Sequence, residues 1–354
     1  MTFLPTLISS SSQAANSFVL LESSTSQSCL PVLRGLISHP YPKNHVLLFC
    51  LLYPPTSLVD DLNHLQREEV SIHDRTAHVP GYCEEENDLE SAITKAIDAA
   101  PLGAVTVVID SADVLCSDEQ SAPKAYAILK SVANALRARS SPSRLVVHLN
   151  SPSPLLPLLV TTKMSPTLTH IIAHPPALLA HLATANLIPP PPSTPPERFW
   201  PAFSPLASRA WEVEKLIFGS EGPGLEEGWS EIVLEVLIRG ASANSEKRRG
   251  VERVLEGWSS TKGSCDLTDL ESLRSIWTRH PATEETATPD PTQNLSFNLS
   301  LTANQQQARA SVPLPYAHSG ETPTVTPTSN GAIYYDPDSA DDIDDDDPDE
   351  DLDI

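Results

Sequence analysis

Asp110 ends the apolar run AVTVVID at residues 104–110, the clearest strand in the sequence. An acid in that place is where a phosphate-transferring α/β protein keeps the carboxylate that helps hold magnesium, the Walker-B position. That chemistry also needs a glycine-rich loop whose amides surround the phosphates, a lysine that reaches the terminal ones and a hydroxyl on the metal. The loop after the first strand reads SSTSQSC, residues 23–29. It carries neither glycine nor lysine; the first cation is Arg34 and the first glycine Gly35. The nucleotide site therefore reads as degenerate. Asp110 is expected to be a structural group bonding nearby amides, with Asp113 capping a helix or turn. Hydroxyls at a helix start could still receive a small anion.

His170 and His174 stand four apart, but THIIAH reads as a strand, which puts both on one side of a pleat. A metal site needs a third ligand and none lies near them in the sequence. Both read as hydrogen-bonded or solvent-facing side chains. No GxSxG elbow, HExxH pair or HxE with paired cysteines occurs, which removes the commonest hydrolase, metallopeptidase and zinc-deaminase readings. The cysteines at 29, 50, 83, 116 and 265 are odd in number and form no CxxC pair. They fit reduced thiols rather than a disulfide framework or zinc cluster. Lys247, Arg248 and Arg249 read as a solvated turn. No catalytic, cofactor-binding or metal-binding residue is expected.

The elements that would position these groups alternate as a parallel sheet with crossover helices requires. Strands are expected at residues 18–22, 46–53, 104–110, 144–149 and 168–174. The run at 46–53 is continuously apolar, as burial on both faces of a sheet demands. Helices are expected at 29–38, 84–100, 122–139, 155–163 and 176–187. The proline run IPPPPSTPP, at 188–196, breaks the series and reads as a loop within one domain. Beyond it, 229–239 and 250–258 alternate polar and apolar residues around a polar turn, a hairpin signature. A small amphipathic helix is expected at 267–277.

The remaining chain is different in kind. Of 354 residues 34 are proline, and the formal charge of −23 gathers at one end, where residues 336–353 hold twelve acids and no base. Such a block stays solvated and repels nucleic-acid phosphates. Before it lies an isolated alternating segment, NLSFNLSL at 294–301. There Leu295, Phe297, Leu299 and Leu301 form one dry face, followed by VPLPY ending at Tyr316. It reads either as a partner-binding strand or as the last strand of the same sheet. The start of the chain lacks the basic and apolar regions of a secretory signal, and no apolar run approaches the ~20 residues of a bilayer span. The expected location is the cytoplasm and nucleus.

Four stretches, SFVLLESS at 17–24, VVIDSAD at 107–113, NLSFNLSL with VPLPY, and the tyrosine-led acidic end at 333–354, together resemble the Elongator complex protein 5 family, in its fungal form. The resemblance implies a RecA-like fold, a sheet of the P-loop NTPase type with a degenerate nucleotide site. It also implies a non-catalytic subunit that joins Elongator subunits four and six in a heterohexameric ring. That ring would dock on the catalytic Elongator subassembly and support modification of the tRNA wobble uridine, touching tRNA indirectly or weakly. The expected organisation is a flexible start at 1–16, a RecA-like domain at 17–279 and a linker at 280–293. An interaction segment at 294–318 and a disordered acidic tail at 319–354 complete it. Leu295, Phe297, Leu299, Leu301 and Tyr316 are its expected partner-binding residues. Two other readings stay open from the residues: a nucleotide-binding enzyme with a degenerate phosphate loop, and an acidic-tailed chromatin or histone-binding protein.

Overall fold

A computed structural model describes residues 3–9, 18–38, 44–59, 70–78, 89–219, 230–240, 251–277 and 307. The chain divides into two units, Met1–Ala282 and Thr283–Ile354. The expected interaction strand with Leu295, Phe297, Leu299, Leu301 and Tyr316, the linker before it, the acidic tail and the basic turn at 247–249 lie outside the described residues.

The first unit is built on one nine-stranded sheet: β1 (Phe18–Ser23), β2 (His45–Cys50), β3 (Val70–Asp74), β4 (Val105–Ile109), β5 (Arg144–Asn150), β6 (Leu168–His174), β7 (Glu231–Arg239), β8 (Val251–Ser259) and β9 (Gly263–Cys265). Their order is β3-β2-β4-β5-β1-β6-β7-β8-β9. The first six run parallel, and β7, β8 and β9 follow as an antiparallel extension. Parallel neighbours require crossovers, and these are the helices. With β5 between β1 and β4, this is the RecA-like α/β sheet that the resemblance implies.

The described α-helices are α1 (Leu4–Ser9), α2 (Leu30–Ser38), α3 (Pro55–Leu58), α4 (Leu89–Ala99), α5 (Ala112–Asp118), α6 (Ala122–Ala138), α7 (Leu156–Leu159), α8 (Pro176–Ala185), α9 (Pro196–Ala207), α10 (Ala210–Phe218) and α11 (Arg274–Trp277). Because side chains alternate across a strand, the central strands feed two cores. On one face Phe18, Leu20, Leu47, Phe49, Val107, Ile109 and Val147 meet α4 and α6. On the other, Val19, Leu21, Val46, Leu48, Val108 and Val146 meet α1 and α2. A third core joins α8, α9 and α10 to Val233 of β7. Gly35 is required where α2 meets β8, since a Cβ there would stand 2.4 Å from the Trp258 ring.

Three expectations change. The start, expected to be flexible, contains α1, whose Leu4 and Leu7 are fully buried and hold it to the sheet. The helix expected at 155–163 is the single turn α7, which ends at Leu159. The helix expected at 267–277 breaks into two 3-10 turns and α11, with Leu270 extended between the turns. The break has a physical cause. The Glu231 carboxylate of β7 accepts from the Glu271 and Ser272 amides and from Ser272 Oγ, capping a new turn from outside the helix.

Candidate functional site

In an open parallel sheet, ligands are held beyond the carboxyl ends of the strands, in the loops that lead into helices. Here the loop from β1 to α2 is already filled by its own side chains. Ser23 Oγ accepts from the Cys29 amide at 2.8 Å. Ser24 Oγ accepts from the Gln27 amide at 3.2 Å, and Ser28 Oγ from the Leu30 amide at 3.2 Å. The Ser24 amide in turn donates to the Gln27 carbonyl at 2.9 Å. Amides that a phosphate-binding loop would offer to its ligand are thus spent on serine hydroxyls. At the outer side Thr25 hydrogen-bonds the Glu214 carboxylate of α10, placing an anion beside the position a phosphate would take.

Beneath the loop lies a buried relay that sequence reasoning missed. His148 of β5 approaches Ser23 Oγ through Nε2 at 2.7 Å and the Asp110 carbonyl oxygen through Nδ1 at 2.6 Å. A carbonyl only accepts, so Nδ1 carries the proton and Nε2 accepts from the Ser23 hydroxyl. Burial also pushes the His148 pKa down, favouring that neutral form. A Ser-His pair invites a nucleophile reading. The surroundings argue otherwise: Ser23 is 2% exposed, His148 is fully buried, and the group orienting the imidazole is a backbone carbonyl rather than a carboxylate. The relay ties β1, β4 and β5 together at their carboxyl ends.

The Asp110 carboxylate turns the other way. Its oxygens accept from the amides of Leu51 at 2.7 Å, Leu52 at 3.0 Å and Tyr53 at 2.8 Å, fixing the turn between β2 and α3. Burial pushes its pKa up, and these amides oppose the rise. Asp113 is not the cap of α5. That is Ser111, whose side chain accepts from the Val114 amide. Asp113 instead accepts from the Asn150 amide at 2.7 Å and Ser153 Oγ at 2.6 Å. An open cleft beside it is lined by Cys116, Ser117, Asn150 and Pro152, but its one carboxylate is engaged in these two bonds.

The two histidines singled out in β6 do not share a ligand. His170 Nε2 meets Glu22 at 2.8 Å and His174 Nε2 meets Glu235 at 3.0 Å, each pair buried. Glu235 also accepts from Arg253 Nε at 2.7 Å, and that guanidinium stacks 3.9 Å over the Trp200 ring and donates to Ser204 Oγ at 2.9 Å. Cys29, Cys50, Cys116 and Cys265 are free thiols. Burial pushes Cys50 up to about 12, well away from the thiolate form that reacts.

The family model described as Elongator subunit Iki1 matches residues 4–336. Elongator complex protein 5 of Mus musculus is 36% identical over 132 residues, 35% of this chain and 44% of that one. Elongator complex protein 5 of Danio rerio is 42% identical over 74 residues, 20% of this chain and 25% of that one. The alignments thus span less than half the length of these relatives. A KaiC-like protein of Pyrococcus horikoshii superposes with a TM-score of 0.40 at 12% identity, covering 70% of this chain and 88% of that one.

Proposed function

The chain belongs to the Elongator subunit Iki1 family, and from that premise we propose that it is a non-catalytic structural and regulatory subunit of Elongator. It assembles with Elongator subunits four and six in a heterohexameric ring, in the cytoplasm and nucleus. The ring docks on the catalytic Elongator subassembly and supports wobble-uridine modification of tRNA, in the 5-methoxycarbonylmethyl and carbamoylmethyl pathway. The observation that carries the non-catalytic part is the β1–α2 loop: the Gln27, Cys29 and Leu30 amides are taken by serine hydroxyls, and the Glu214 carboxylate stands at the tip. Asp110, with both carboxylate oxygens on backbone amides, supports it further.

In this reading the binding energy of the ring comes from subunit surfaces, and the alternating segment with Leu295, Phe297, Leu299, Leu301 and Tyr316 supplies part of it. Native mass measurement of the tagged chain purified with its partners tests this. The full chain is expected in a six-subunit assembly with two other Elongator subunits. A chain ending at residue 293 is expected to recover those partners at least about tenfold less well, the loss of ~1.4 kcal/mol or more. A stable monomer from the full chain would contradict ring membership, and undiminished recovery by the shortened chain would remove the segment from the interface.

A further inference from the structure

Helix α1 is held by charged side chains of the sheet at both of its ends. Its first-turn amides, Phe3 N and Leu4 N, both donate to the Glu256 carboxylate of β8, the latter at 2.8 Å. At its other end the Leu7 carbonyl accepts from Arg144 Nη1 of β5 at 3.1 Å. A negative charge at the start of a helix and a positive charge at its end are the favourable arrangement for the peptide dipoles. Both anchors come from the sheet, and both are buried, at 3% and 6% exposure.

The anchors lie far apart in the sheet. β1, β6 and β7 stand between β5 and β8, which separates the anchor strands by ~19 Å. The clamped stretch from Phe3 to Leu7 is five residues and spans ~7.5 Å as helix, and the reach of the Arg144 and Glu256 side chains bridges the rest. Along the way Leu4 and Leu7, at 0% and 1% exposure, join a core with Val19 and Leu21 of β1, Ile171 of β6 and Ile232 and Leu234 of β7. Between β6 and β7 the sheet changes from parallel to antiparallel, so α1 crosses that seam.

We propose that α1 is a detachable strap, clamped by Glu256 and Arg144, that holds the antiparallel extension against the parallel half and covers an apolar groove over β1, β6 and β7. Detachability follows from its size, since six residues fall well short of an independently stable helix and keep their shape only while clamped. Burial pushes the Glu256 carboxyl up while the Leu4 and Phe3 amides pull it back. The anchor on β8 is thus one that α1 itself helps to keep ionised.

Amide hydrogen exchange tests this on the full chain, on a chain lacking residues 1–9, and on Glu256→Gln, which keeps the size of the anchor and removes its charge. The expected result is a tenfold or greater acceleration of exchange in β7 and β8 in both variants, with β2, β4 and β5 protected as in the full chain. A synthetic peptide of residues 1–10 added to the shortened chain is expected to bind saturably and restore that protection. Unchanged exchange in β7 and β8 in Glu256→Gln would overturn the proposal. So would loss of protection spread evenly over the sheet, or failure of the peptide to bind a shortened chain that stays folded.

Discussion

Glu235→Ala is expected to destabilise the first unit by roughly 3 kcal/mol, the lower end of what breaking a buried ion pair from one side costs. Removing the carboxylate leaves His174 without its Glu235 partner and strands the Arg253 guanidinium, which keeps Ser204 Oγ and the Trp200 ring. The lower end applies because the Arg253 side chain is 28% exposed and water can solvate part of it. Chemical denaturation of wild type and variant reads the difference directly. Glu235→Met with Arg253→Met should recover much of the loss, since an apolar pair of similar volume removes both buried charges together. The pH dependence has a defined sign. Burial alone would raise the Glu235 carboxyl, but hydrogen bonds from His174 and Arg253 hold it below its ordinary range. Its contribution is therefore present above the ordinary glutamate pKa of about 4.3 and is lost as pH falls through the depressed folded value.

Asp110→Ala is expected to cost a similar amount, on the order of 3 kcal/mol, by leaving three turn amides without an acceptor. The amide of Leu51 is buried and cannot turn to water, whereas those of Leu52 and Tyr53 are partly buried. Thermal or chemical denaturation should show this loss with or without magnesium, whereas a metal-holding aspartate would give a loss dependent on the ion. The titration sign is opposite to that of Glu235. Burial raises the Asp110 carboxyl above its ordinary range, so its contribution is complete below about 3.9 and is lost as pH rises through the raised folded value. The stability of wild type relative to Asp110→Asn should shrink from acid toward neutral pH.

Both residues show where sequence reading reaches and where it stops. The parallel series was legible because its strands are continuous apolar runs and its longer helices carry apolar faces at helical spacing, as in α6 with Ile128, Leu129, Val132 and Leu136. The hairpin of β7 and β8 was legible from alternation. In contrast, β3 has the sequence VSIHD, too short and too polar to stand out, and it is fixed by pairing with β2. Helices α9 and α10 went unread because prolines at 201 and 205 interrupt the first. Their apolar signals reduce to Phe199 with Phe203 and Val213 with Ile217, each four residues apart.

The site was legible mainly through what it lacks. A loop without glycine or lysine could be seen directly in SSTSQSC. That its hydroxyls fold back onto its own amides could not, because Ser23 and Cys29 are joined through a conformation that spacing does not specify. Nor could His148, a single polar residue in an apolar strand, be matched to a serine 125 positions away. The partner of His174 likewise lies 61 residues on, across a strand pairing that only the folded sheet creates.

Calorimetric titration of Mg-ATP into the purified subunit assembly, with photo-crosslinked nucleotide mapped to individual chains, tests the central claim most directly. With the Ser24, Gln27, Cys29 and Leu30 amides already bonded and Glu214 at the tip, this chain is expected to take up no label at residues 23–28, and Asp110→Asn should leave any heat from the other subunits unchanged. Saturable binding with label at those residues, weakened by Asp110→Asn, would contradict the account and favour a nucleotide-binding enzyme instead.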